Sequence, residues 1–147
     1  MITGMLVLSL ESALRLLVAF LLGGVIGWER ELTHKAAGFR THILISLAAA
    51  LFTMLSLSPA FSTPVTDPSR IASQILTGMG FVGAGVVIAY GGQVRGVTTA
   101  ASLWIAAAVG MAAGLGEYGL AVFSTFLILV ALWVLRLVEK PLNLKSK

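Results

Sequence analysis

The sequence predicts an all-α integral membrane protein of five transmembrane helices, N-terminus outside and C-terminus in the cytoplasm. Three observations carry this expectation. Hydrophobic residues make up 58% of the 147-residue chain and charged residues only 11%, whereas soluble domains carry charge on about a quarter of their residues. The apolar residues gather into five long runs, each near the roughly 20 residues a helix needs to cross a hydrocarbon core. The basic residues collect at one set of run ends. A transmembrane β-barrel calls for alternating apolar and polar residues, and these runs do not alternate. With no cysteine in the chain, disulfides, thiolate metal sites and cysteine nucleophiles are excluded.

Residues 1–140 read as one transmembrane domain, followed by a short basic cytoplasmic tail over 141–147. Span one covers about 10–28 and carries Arg15, with Glu11 four residues earlier, the favourable order for a helical pair. Arg15 either snorkels to the nearby interface or is an intramembrane charge paired across helices. The span runs into Trp28-Glu29-Arg30-Glu31, which is no signal-peptide cleavage site. Span two covers about 41–57. A Ser, Pro and Thr loop over 58–66 has turn composition. Asp67 as N-cap and Pro68 at the first helical position then start span three, about 69–90. A short basic connection, GGQVR, leads to span four at about 98–115. Gly116-Glu117-Tyr118-Gly119 turns the chain into span five, about 118–136.

Spans three and four are expected to form the packed centre, because small residues let backbones approach closely in lipid. At 100° per residue Gly78 and Gly85 share one face of span three, with Gln74 beside them. Gly80 and Gly83 lie on the opposite side, which suggests a helix wedged between two neighbours. In span four Thr99, Ser102, Ala106, Gly110 and Ala113 make a small stripe continued by Gly114. Trp104, Met111 and Leu115 make the bulky opposite face, suited to lipid or another subunit. The Gly78–Gly85 stretch also invites a helix break lining a polar cavity. The pattern Gly78-x-Gly80-x-x-Gly83 matches a dinucleotide fingerprint in letters only, since it lies inside an apolar span rather than after a strand.

Orientation follows from loop charges. One side holds Arg30, Lys35, Arg40, Arg95, Arg136, Lys140, Lys145 and Lys147; the other holds Arg70, with Arg15 just inside. These basic residues sit at membrane ends without an aromatic-interleaved soluble face, which argues against nucleic acid and for membrane lipids as partners. No nucleophile–base pair or metal triad marks an enzyme, and no cofactor is implied. A hard cation is one ligand to consider. It takes oxygen donors and keeps several waters, so Asp67 and Arg70 at the outer mouth, with Gln74, Thr77, Thr98, Thr99 and Ser102 inside, are the pathway candidates. Glu29, Arg30, Glu31, Arg40 and His42 form a cluster at the cytoplasmic mouth, read either as an ion-pair anchor for two helix ends or as a gate. His34 and His42, eight residues apart, make a poor metal site. A chain this small with small residues on several faces favours a homo-oligomer, most simply a dimer.

The motifs Gly27-x-Glu29-Arg30-Glu31, Ala37-Gly38-Phe39-Arg40-Thr41-His42, Asp67-Pro68-x-Arg70-Ile71-Ala72-x-Gln74-Ile75, Gly78-x-Gly80-Phe81-x-Gly83-Ala84-Gly85 and Gly96-x-Thr98-Thr99-Ala100-Ala101-x-x-Trp104 keep order and spacing over roughly residues 23–119. Together they resemble the MgtC/SapB family of bacterial inner-membrane proteins. The resemblance implies magnesium homeostasis and growth at low magnesium, and in some members virulence and acid tolerance. It implies either ion carriage or regulation of another membrane complex such as the ATP synthase or a transporter. Thr98 stands where the MgtC-like branch has Asn, and Ile105 where it has Cys. With the chain ending at Lys147, without that branch's C-terminal soluble domain, the resemblance is to the shorter SapB-like branch.

Overall fold

A computed structural model describes residues 9–58, 67, 69–90 and 93–139. Five helices follow one another: α1 (Leu10–Leu32), α2 (Phe39–Ser56), α3 (Arg70–Val86), α4 (Val97–Leu115) and α5 (Tyr118–Glu139). Helices α1, α2 and α4 are long and apolar enough to cross a membrane; α3, at 17 residues, and the apolar stretch Tyr118–Val134 of α5 are shorter. The distribution of side chains is that of an all-α membrane protein. Leu17, Leu21, Leu44, Phe52, Phe123, Phe126 and Trp133 are exposed, whereas Arg30, His42, Ser46, Thr53, Thr99, Ser102 and Thr125 are buried. Polar groups turned inward and apolar groups outward is the arrangement a hydrocarbon solvent selects. The predicted tail, 141–147, and most of the predicted 58–66 loop lie outside the described residues.

Helix α4 is the centre of the bundle, packing on α1, α2, α3 and α5. Its small stripe is the reason. Thr99, Ser102, Ala106, Gly110 and Ala113 are all buried, while Trp104 and Leu115 stay about half exposed. A Cβ at Gly110 would collide with the backbone of Ser46 on α2, and one at Gly114 would lie 2.7 Å from the Ala50 carbonyl oxygen. Helix α1 approaches α2 as closely, with a Gly27 Cβ falling 2.8 Å from Phe39 Cα and a Gly23 Cβ 2.7 Å from Ser46 Cβ. Such contacts bring many weak dispersion pairs into range. Ser46 crosses the same seam, its hydroxyl donating to the Ala19 carbonyl at 2.8 Å.

Helix α3 corrects the expectation that it shares the centre. It rests on α2 and α4 through its bulky side, where Met79, Ile75, Val82 and Val86 meet Ala49, Leu103 and Ala107. Of its glycines only Gly83 meets a neighbour, Ala100 Cβ at 3.6 Å; a Cβ at Gly78, Gly80 or Gly85 would meet nothing within 4 Å. The two glycine faces are therefore not wedged between helices of this chain, because the larger side chains bury more contact area and win the interface. Nor does the helix break there, since Arg70–Val86 is one uninterrupted α-helix. It ends four residues before the expected 90. Ile88–Tyr90 pairs antiparallel with Gln93–Arg95, with Ala89 opposite Val94, as β-branched and aromatic residues flanking a Gly-Gly pair favour. Gly96 then starts α4 at φ 90°, in the left-handed region, with no room for a Cβ against the Val86 carbonyl.

Candidate functional site

A polar seam runs through the end of the bundle where α1 and α3 finish and α2 and α4 begin. Arg30 projects from the last turn of α1 and is 2% exposed. Its Nη2 donates to Thr99 Oγ1 on α4 at 3.4 Å and its Nη1 to Glu29 Oε2 at 3.5 Å. One turn into α2, His42 is fully buried. Its Nδ1 lies 2.8 Å from the Gly38 carbonyl and its Nε2 3.1 Å from Ser102 Oγ, which in turn reaches the Thr99 carbonyl at 2.8 Å. Thr99 and Ser102 sit three residues apart on α4 and so face the same way. The seam ties three helices together with charge-assisted and neutral hydrogen bonds. Two of its atoms, Arg30 Nε and Glu29 Oε1, are buried with no hydrogen-bond partner among the described residues.

The predicted mouth cluster divides. Glu29, Arg30 and His42 belong to the seam, but Glu31 and Arg40 do not. The Glu31 carboxylate accepts from the Phe39 backbone N–H at 3.1 Å, capping the first turn of α2 where a negative charge is favoured. Gly38 leaves the space that carboxylate occupies. Arg40 is exposed and forms no ion pair among the described residues.

The predicted pathway residues are not brought together within this chain. Thr99 and Ser102 are buried against α1 and α2, whereas Gln74 and Thr77 are exposed on α3 and Thr98 is exposed at the start of α4. Asp67 and Arg70 are exposed at the opposite end of the bundle. Asp67 Oδ1 accepts from both the backbone N–H and the hydroxyl of Ser69, each at 2.8 Å. The two bonds hold its carboxyl below the usual value, the backbone bond contributing most. This corrects the expected helix start: the N-cap is Ser69 and the helix begins at Arg70, so Asp67 bonds two residues ahead as an Asx turn. Pro68 lies outside the described residues. Among the described residues no three His, Cys, Asp or Glu side chains converge as a metal site.

Beside the seam opens a cavity of about 310 Å3 lined by Glu29, Arg30, Lys35, Thr98, Ala131, Leu132 and Arg136. Loop charge alone marks Lys35 and Arg136 for orientation; the fold places both on the wall of one cavity with Arg30. Their spacing of about a hundred residues leaves no local signal. At the far end, Arg15 Nη1 donates to the Gly114 carbonyl at 2.8 Å and Nη2 pairs with Glu11, so this arginine caps α4 across helices.

The sequence over residues 16–141 matches the MgtC family. This chain belongs to the MgtC family. It is 43% identical over 130 residues to Protein MgtC of Salmonella typhimurium, a match covering 88% of this chain and 54% of that one. It is 40% identical over 133 residues to "Putative magnesium transporter YhiD" of Escherichia coli, covering 86% and 61%. An uncharacterized protein of Synechocystis is 41% identical over 133 residues, covering 90% and 56%. The matched region thus spans between 54% and 61% of the length of these curated relatives. No solved structure matches the chain at a significant level.

Proposed function

We propose that this MgtC-family protein serves magnesium homeostasis in the bacterial inner membrane as a regulator that acts on another membrane complex, and that it does not itself carry Mg2+. The magnesium assignment rests on the relatives, one of which bears magnesium transport in its name. The observation that carries the regulatory reading is the closed seam. Thr99 and Ser102, the inner pathway candidates, are occupied by Arg30 and His42, and glycine packing at Gly110 and Gly114 leaves no gap between α2 and α4. The buried Arg30 guanidinium beside Thr99 repels a divalent cation, because charge is poorly screened away from water.

The test is Mg2+ uptake into liposomes holding the purified protein. Uptake equal to empty liposomes, from protein that restores growth of a deletion strain at low magnesium, is expected. Saturable uptake lost in Asp67→Asn and Gln74→Ala would overturn the reading. A second reading is favoured by the open face of α3: a homodimer seating that face would place Gln74, Thr77, Gly78, Gly80 and Gly85 at a subunit boundary, with a path between copies. Cross-linking through Thr77→Cys in membranes, together with uptake, would support it.

A further inference from the structure

We propose that the cavity walled by the ends of α1 and α5 and the first turn of α4 binds a phosphate group, through Arg30, Lys35 and Arg136 with the Thr98 hydroxyl. The charge balance of its walls decides the sign of the ligand. Three cations face one carboxylate, Glu29, leaving a net charge of +2; Glu29 Oε2 pairs with Arg30 at 3.5 Å while its Oε1 has no partner among the described residues. A Mg2+ ion would meet one carboxylate against three like charges, so the cavity selects anions.

Four further features point to phosphate. The amino end of α4 opens at this wall with no side chain capping it, and a bare helix N-terminus presents N–H donors and a partial positive charge. Thr98 sits in that first turn and adds a hydroxyl. Arg136 occupies the last turn of α5 and offers the planar fork that matches phosphate oxygens. Arg30 is buried to 2% exposure, and its Nε has no hydrogen-bond partner among the described residues. A buried guanidinium not fully matched by the protein is costly unless something further compensates it. Ala131 and Leu132 form the remaining, apolar wall; Ala131 is exposed, whereas Leu132 packs on the core cluster around Ile26 and Val109. An apolar wall exposed at Ala131 lets the phosphate come from a phospholipid headgroup or from free phosphate.

The inference goes beyond the regulatory reading and is tested separately from it. The full chain is placed in nanodiscs of phosphatidylcholine with and without phosphatidylglycerol, and retained lipid is counted by native mass spectrometry. The detergent-solubilised protein is titrated in parallel with inorganic phosphate by calorimetry. The variants are Lys35→Gln, Arg136→Gln, their double variant and Thr98→Val, with Arg95→Gln, outside the cavity, as the equal-charge control.

Each basic residue at an anionic headgroup changes affinity about fivefold, so the double variant should lose about twenty-five-fold. Thr98→Val, which keeps every charge, should lose about threefold, and Arg95→Gln should lose nothing. Selective retention of phosphatidylglycerol with this pattern supports a lipid source, and the same pattern with inorganic phosphate alone supports a soluble one. Binding unchanged in the double variant, no binding in either arm, or a loss in Arg95→Gln equal to that in Arg136→Gln would overturn the proposal. If the double variant fails to fold by circular dichroism, the Thr98→Val comparison decides.

Discussion

His42 Nε2 lies 3.1 Å from Ser102 Oγ, joining residues sixty positions apart. Both neighbours of the ring compete for too few protons. With the ring neutral, Nδ1–H donates to the Gly38 carbonyl and the single Ser102 proton serves either Nε2 or the Thr99 carbonyl. With the ring charged, all three bonds form at once, but Arg30 stands close by. The pair therefore couples the α1–α2 turn to the start of α4.

Ser102→Ala should destabilise the protein by about 1–3 kcal/mol, since it leaves a buried ring nitrogen without its partner. A double-mutant cycle with His42→Phe should return a coupling energy of about 0.5–3 kcal/mol, measured as reversible unfolding in detergent. Additive losses would show that the contact contributes nothing of its own.

Glycine substitutions should sort by helix. Gly110→Ala and Gly114→Ala force α2 and α4 apart, and overpacking of this kind costs about 1–3 kcal/mol. Gly78→Ala and Gly85→Ala meet open space and should hold or slightly raise the thermal midpoint of the monomer, since Ala is the better helix former. A loss of stability at Gly78 or Gly85 only in the membrane-embedded protein would place a second copy or another protein on that face.

Much of this was legible in the sequence. Apolar run lengths located all five helices, because in lipid the chain must satisfy its backbone internally. The stripe from Thr99 to Gly114 read correctly as the packing face of α4, because small residues at helical spacing have one physical use there. Span three was harder. Glycine on two faces tells that close approach is possible, not that it occurs, and Met79 with Val82 took the interface instead. Arg15, open in the sequence between snorkelling and pairing across helices, takes the second role by reaching the Gly114 carbonyl. Nothing local in the sequence marks Arg136 as lining a cavity with Arg30.

Arg15 offers a test of its cross-helix role. Its Nη1 holds the Gly114 carbonyl at 2.8 Å, one of the orphan acceptors in the last turn of α4. Arg15→Met should cost about 1–3 kcal/mol through the unsatisfied carbonyl, and Arg15→Lys should recover part of it. Hydrogen exchange at Gly116 and Glu117, whose amides bond back into that turn, should accelerate in Arg15→Met and less so in Arg15→Lys.

Asp67 predicts a pH response confined to the start of α3. Its carboxyl is held below the ordinary value of 3.8 by the Ser69 backbone and hydroxyl bonds. A group whose folded pKa is depressed stabilises the fold above its unfolded value, and that stabilisation is lost as pH falls through the folded one. The Ser69 amide resonance should therefore shift with a midpoint below 3.8, and exchange of the amides that follow should quicken over the same range. Asp67→Asn should remove the titration while keeping an acceptor for the Ser69 amide, so α3 should stay formed at neutral pH. If the resonance instead moves with its midpoint at or above 3.8, the carboxylate is not bonded to Ser69 and the start of α3 is held by its backbone alone.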